Sequence, residues 1–373
     1  MSRRYTNTHV YYDHANWPQV LTDLTDLGLA GARWRVPLEA YADTPGVYHD
    51  YAQQSVYQSA NDLASEGFGT IFLCAYGPRP DQTDWKDISN DPGTWNGAYT
   101  AKWTEGSAPQ AYPPSGLSNE LWQAMAALFI DQIELIRQGY TDASLDPDQY
   151  VTIGWWNEPG VGWDLNTDEY SFHAMSNFIA PQMKGAMGGS VFASPTLNGD
   201  LEGEDMIAET NLTISYLDTI LSSGQAHLDE YDRFAVNMYM PLQNTFGADE
   251  REAFLSFQYK AFKVLEKITA DYGKPVQIHE FGFSADRAGM AKTGRRIDHR
   301  RRGRMIRGAM AALETMPFDL ICQYVLHQGT TTDDSDPTGM SGLCRSDTSR
   351  YAAFQELGYH LGKNIAGSFI ESD

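Results

Sequence analysis

Two carboxylates in this chain sit where an apolar run stops. Trp155-Trp156-Asn157-Glu158-Pro159 ends a strand-like segment in two polar side chains and a proline, which cannot donate to a sheet ladder and so halts it. Val276-Gln277-Ile278-His279-Glu280-Phe281-Gly282 repeats the arrangement, with a carboxylate after apolar residues and a glycine behind it. Such a pair suits cleavage of a glycosidic bond. One carboxyl group, kept protonated, gives its proton to the leaving oxygen, and the other, ionised, attacks the anomeric carbon or activates a water. Carboxyl groups about 5 Å apart retain configuration, and groups roughly 6.5–9.5 Å apart leave room for a water and invert it.

Other patterns narrow the chemistry. The nine histidines contain no His-x-His and no His-Glu-x-x-His, so the ligand spacing of a metallohydrolase is missing. Asp333-Asp334-Ser335-Asp336 lacks the glycine turn and distal glutamate of a calcium loop and reads as a solvated acidic loop. Neither a Gly-x-Ser-x-Gly elbow nor a phosphate loop is present, which disfavours esterase and kinase chemistry. No metal and no cofactor is expected. His279 adjoins Glu280 on its strand and should point to the other face, as a buried and hydrogen-bonded residue.

Bringing Glu158 and Glu280 together needs a scaffold that aims distant strand ends at one place. Eight strand-like segments, at 8–12, 31–36, 69–75, 150–156, 191–197, 233–239, 275–280 and 319–326, alternate with segments of helical periodicity. Pro18 and Gly28 bracket the first helix at the positions where each residue costs least. Further helices are expected after Ser118 and near 50–66, 168–184, 212–222, 250–272, 298–315 and 350–362. The alternation predicts an α/β fold, a single (β/α)8 barrel over residues 1–373, in which the C-terminal strand ends carry the active site. Glu158 and Glu280 then end strands four and seven, which face each other across the mouth. The long interval 77–117, after the third strand, holds Trp85, Trp95, Trp103 and Tyr112, either as a packed surface loop or as a wall on which sugar rings stack.

Composition sets limits on partners. A net charge of −22 argues against nucleic acid, whose phosphates require a surplus of Lys and Arg, and fits a neutral carbohydrate. No apolar run is long enough for a membrane span, and the two early arginines are not followed by an apolar leader core. A soluble protein is expected, working where it is made or exported by a leader already removed. Cys74, Cys322 and Cys344 are too few for a disulfide framework, and the first two lie in core-like runs. The basic run from Arg295 to Arg304 reads as an outer helix face neutralised by nearby carboxylates.

The two motifs together resemble clan A of the glycoside hydrolases, retaining β-glycosidases on (β/α)8 barrels. That resemblance implies an acid/base at Glu158, a nucleophile at Glu280, and Asn157 as a hydrogen-bond partner of the sugar 2-hydroxyl. It also implies that Arg35, on the second strand, supports the nucleophile and keeps it ionised, and that the Tyr239 hydroxyl bonds to it. Trp156 is a further substrate-binding or supporting candidate, and His14 either reaches the mouth or serves a structural role. The chain departs from the clan pattern twice. Asn237-Met238-Tyr239 stands where many relatives have His-x-Tyr, and Gln323-Tyr324-Val325-Leu326-His327 stands where a Trp often floors the sugar subsite, leaving Tyr324, His327 or Trp163 for that place. A retaining β-glycoside hydrolase is the expectation. A non-catalytic carbohydrate-binding barrel need not keep both glutamates, and a transglycosylase would use the same two.

Overall fold

Strand and helix alternate along the computed structural model, which describes residues 3–8, 12, 15–36, 47–74, 118–157, 169–199, 206–221, 224–239, 250–282, 299–324, 326, 343–344 and 350–371. β1 (Arg3–Asn7), α1 (Trp17–Leu27), β2 (Gly31–Trp34), α2 (Asp50–Ser65) and β3 (Gly69–Cys74) come first. There follow α3 (Ser118–Asp142), α4 (Pro147–Tyr150), β4 (Val151–Trp155), α5 (Glu169–Ala186), β5 (Val191–Phe192) and β6 (Leu197–Asn198). The remainder is α6 (Met206–Ile220), α7 (His227–Glu230), β7 (Phe234–Tyr239), α8 (Glu250–Tyr272), β8 (Val276–Gly282), α9 (His299–Glu314), β9 (Leu320–Gln323) and α10 (Ala352–His360).

Three expectations need correction. The first strand is Arg3–Asn7, ahead of the expected segment 8–12, of which residues 9–11 lie outside the described residues. Its two leading arginines hide it from an apolar-run criterion, yet both are anchored: Arg4 Nε lies 2.5 Å from Glu314 and Arg3 lies 3.7 Å from Asp319. The expected strand 191–197 is two short strands, because Pro195 supplies no N–H to the ladder between them. The basic run is divided: Arg300 pairs with Glu371 at 2.6 Å, whereas Arg302 is fully buried with its guanidinium 5.1 Å above the Tyr351 ring. At about 100° per residue, two helix positions apart face nearly opposite ways, so one arginine meets solvent and the other the core.

The chain divides into two compact units. The first comprises residues 1–34, 199–215 and 236–373, and its strands run in the order β2, β1, β9, β8, β7. The registers are parallel: Tyr5 lies opposite Gly31 on one side and Cys322 on the other, and Asn7 lies opposite Arg33. α1 packs on α10, α8 on α9 and α9 on α10. α1 ends at Gly28, whose left-handed φ of 66° lets its N–H return to the last turn.

The second unit comprises residues 35–198 and 216–235. β3, β4 and β5 pair in parallel, with Thr70 opposite Val151, Cys74 opposite Trp155 and Thr152 opposite Val191. Every residue of β3 and β4 is buried, as expected of parallel strands covered on both faces. α2 packs on α3, α3 on α5 and α5 on α7. No described helix is long and apolar enough to cross a membrane.

Candidate active site

In the first unit the candidate nucleophile stands on an irregularity of β8. Ile278 lies opposite Ile321 and Phe281 lies opposite Gln323, so three steps along β8 match two along β9. The extra residue falls at His279-Glu280. A bulge of this kind re-aims a side chain relative to the regular pleat, and bulges concentrate beside active sites.

Two donors hold the Glu280 carboxylate. Arg33 Nη1 donates to Oε1 at 2.5 Å and the Tyr239 hydroxyl donates to Oε2 at 2.5 Å. Glu280 is 8% exposed, so most of it is enclosed. Burial is the largest single influence on Arg33 and works against its charge, but the charge and hydrogen bond of Glu280, with smaller contributions from Cys322 and Tyr239, together hold the guanidinium above its ordinary range. The two side chains form an enclosed ion pair, in which removing either partner leaves the other uncompensated.

Arg33 is the residue the sequence reading missed. Arg35 was expected in this place, but it lies past the end of β2, whereas Arg33 is inside the strand, in register with Asn7. Side chains two apart on a strand share a face, so on the expected strand 31–36 both arginines satisfy the pattern. The strand's end at Trp34 is what distinguishes them.

The neighbours of Glu280 are quiet acid–base groups. His279 is fully buried, with Nε2 3.0 Å from Gln277 Oε1, and burial first, then the Arg33 charge, hold it well below the usual histidine range. It is a neutral imidazole. Cys322 on β9 is pushed up by burial, with Arg33 lowering and Glu280 raising it by charge, so its thiol stays protonated. The Tyr239 ring meets Tyr324 edge-on, with centroids 6.1 Å apart at 80°.

In the second unit, the tip of β4 carries Trp156 and Asn157. Trp156 has a left-handed φ of 50°, which bulky side chains rarely adopt. Its carbonyl accepts from Thr196 N–H at 3.0 Å, and Asn157 bridges Thr196. The indole is 2% exposed and packs edge-on against Trp155 at 5.8 Å and Phe172 at 5.9 Å. So enclosed, the indole presents almost no surface to solvent.

Behind Phe172 lies a polar chain that no motif announced. His173 Nδ1 is 2.9 Å from His227 Nε2, and His227 Nδ1 is 3.2 Å from the Tyr231 hydroxyl. Burial, assisted by His173, pushes His227 down to about 3, so it is neutral at ordinary pH. Buried hydrogen-bond chains of this type fix side-chain positions around them.

Glu158, Trp163, His14 and His327 lie outside the described residues, as do the aromatic residues of the 77–117 interval. Among the described residues, no group of three or more His, Cys, Asp or Glu side chains is arranged to hold a metal ion.

No protein-family model matches the chain, and no curated protein matches it by sequence. Solved structures do match it in fold. A family 39 glycoside hydrolase from the gut symbiont Bacteroides cellulosilyticus superposes with a TM-score of 0.59 at 14% identity, over 98% of this chain and 66% of that one. A monomeric beta-xylosidase from Caulobacter crescentus gives a TM-score of 0.62 at 14% identity, over 96% of this chain and 67% of that one. A GH5_18 protein from Bifidobacterium longum, solved in complex with Manβ1-4GlcNAc, gives 0.61 at 10% identity, over 99% of this chain and 79% of that one. The chain thus spans about two-thirds of the length of the first two. These neighbours are clan A glycoside hydrolases, and the shared fold is the α/β barrel.

Proposed function

We propose that this chain hydrolyses β-linked glycosidic bonds with retention of configuration, with Glu280 as nucleophile and Glu158 as acid/base. The observation that carries the reading is the double clamp on Glu280: a buried guanidinium on one carboxylate oxygen and a tyrosine hydroxyl on the other. A carboxylate so held has its orientation settled before substrate arrives, which is how positioning lowers a barrier.

In the first step a Glu280 oxygen attacks the anomeric carbon while the bond to the leaving oxygen breaks, and that oxygen takes the proton of Glu158. In the second, Glu158, now a carboxylate, removes a proton from a water whose oxygen displaces the Glu280 ester. Two inversions restore the starting configuration. Asn157 binds the sugar 2-hydroxyl, and Trp156 supports the strand tip that bears it. Tyr324, Trp163 or His327 serves as the sugar platform, and no cofactor takes part.

The test uses activated aryl glycosides, beginning with a β-xyloside and a β-mannoside in view of the sugars named for two of the neighbours. Glu280→Ala should abolish turnover, and azide should restore it with the azide on the face opposite the original leaving group. Glu158→Ala should spare substrates with very good leaving groups and lose those with poor ones. Near-unchanged activity in either variant on all substrates refutes the assignment.

A further inference from the structure

Gly282 ends β8 two residues beyond Glu280. A Cβ built there would stand 2.7 Å from the main-chain carbonyl oxygen of Tyr324 and 3.5 Å from Cε1 of Tyr239. The first distance is closer than real side chains come, and the atom met is backbone, so a substitution must move the chain at Tyr324. The backbone at 282 is not left-handed, so the position requires the missing side chain and not glycine's conformational freedom.

The chain at Tyr324 has little room to give, because its N–H donates to the Phe281 carbonyl at 2.7 Å. Its ring in turn meets the Tyr239 ring edge-on at 6.1 Å, an arrangement aromatic pairs favour. Tyr239 reaches Glu280 Oε2 at 2.5 Å. Gly282, Tyr324, Tyr239 and Glu280 therefore form one continuous set of contacts.

We propose that Gly282 and Tyr324 are positioning residues: the bare Cα of Gly282 admits the Tyr324 main chain, and the Tyr324 ring sets Tyr239 against Glu280. This rests on Glu280 as the nucleophile. It gives Tyr324 a place in the support of that nucleophile and not in the sugar platform. A displacement of the Tyr239 hydroxyl by about 1 Å is of the size that costs on the order of 10²-fold in rate.

The experiment is a double-mutant cycle with a crystallographic readout. Gly282→Ala should lower kcat on an aryl β-glycoside by roughly 10²-fold with little change in KM, and its crystal structure should show the Tyr239 hydroxyl beyond hydrogen-bond distance of Glu280. Combined with Tyr239→Phe it should be no slower than Tyr239→Phe alone, because both remove one contact. Multiplying losses, or a Tyr239–Glu280 bond retained in the Gly282→Ala crystal, overturns the proposal. Should Gly282→Ala not fold, Tyr324→Leu takes its place in the same cycle with the same criteria. Azide rescue of Glu280→Ala together with multiplying losses defeats the positioning alone. A displaced Tyr239 hydroxyl in a protein whose Glu280→Ala variant azide does not rescue defeats the nucleophile and leaves the positioning standing.

Discussion

Arg33 Nη1 and Glu280 Oε1 lie 2.5 Å apart, with the arginine side chain 3% and the glutamate side chain 10% exposed. A pair this enclosed is asymmetric in its energetics: breaking it by removing one partner costs about 3–5 kcal/mol, while replacing both by apolar groups of similar size can be neutral or stabilising. Arg33→Met should therefore lower the unfolding free energy by that amount in denaturant titration and reduce turnover. Adding Glu280→Leu should recover most of the stability and none of the activity. A single Arg33→Met variant as stable as the parent contradicts the pairing.

Trp156 offers a test of backbone geometry that runs against the usual order of substitutions. Replacing a buried Trp by Ala costs about 3–5 kcal/mol through lost burial and a cavity. Glycine in place of alanine ordinarily costs a further 0.5–1 kcal/mol or so, but at a φ of 50° it relieves the left-handed penalty of about 1–2 kcal/mol. Trp156→Gly should thus be at least as stable as Trp156→Ala in thermal unfolding. The ordinary order, with Ala above Gly, sinks the assignment of a strained turn ahead of Asn157.

Buried neutral histidines couple stability to pH. His227 is pushed down to about 3 by burial and by His173, whereas in the unfolded chain it titrates at its ordinary value of 6.5. The unfolded state therefore binds the extra proton between these limits, and stability falls as pH drops through that window, by about 1.4 kcal/mol per pH unit for each such group. His279, also held well below the usual range, acts in the same direction. Urea titrations between pH 6.5 and 5, above the range where carboxylates dominate, should show the slope reduced by one proton's worth in His227→Gln. An unchanged slope counts against a neutral His227.

Much of this was legible in the sequence because it follows from periodicity and from abrupt polar endings. The alternating segments located most strands and helices, and the relation of Tyr239 to Glu280 was implied by the resemblance to clan A. What stayed hidden depends on register. The choice between Arg33 and Arg35 turns on where β2 stops, because a strand continued past Trp34 would put both on one face. The extra residue at His279-Glu280 changes no composition and appears only when β8 is laid against β9. Arg3 and Arg4 concealed β1 because a strand whose charges are met by Glu314 and Asp319 need not read as apolar. The His173–His227–Tyr231 chain joins positions 54 and 4 residues apart, with no motif to connect them.

The most direct measurement of the central claim is covalent trapping. A 2-deoxy-2-fluoro β-glycoside with a good leaving group slows release of the glycosyl-enzyme, so the intermediate accumulates and can be located by peptide mass spectrometry. The ester is predicted on the peptide containing Glu280, one label per chain, and absent from Glu280→Ala. A label on any other carboxylate, or turnover with no covalent species and an inverted product, contradicts it.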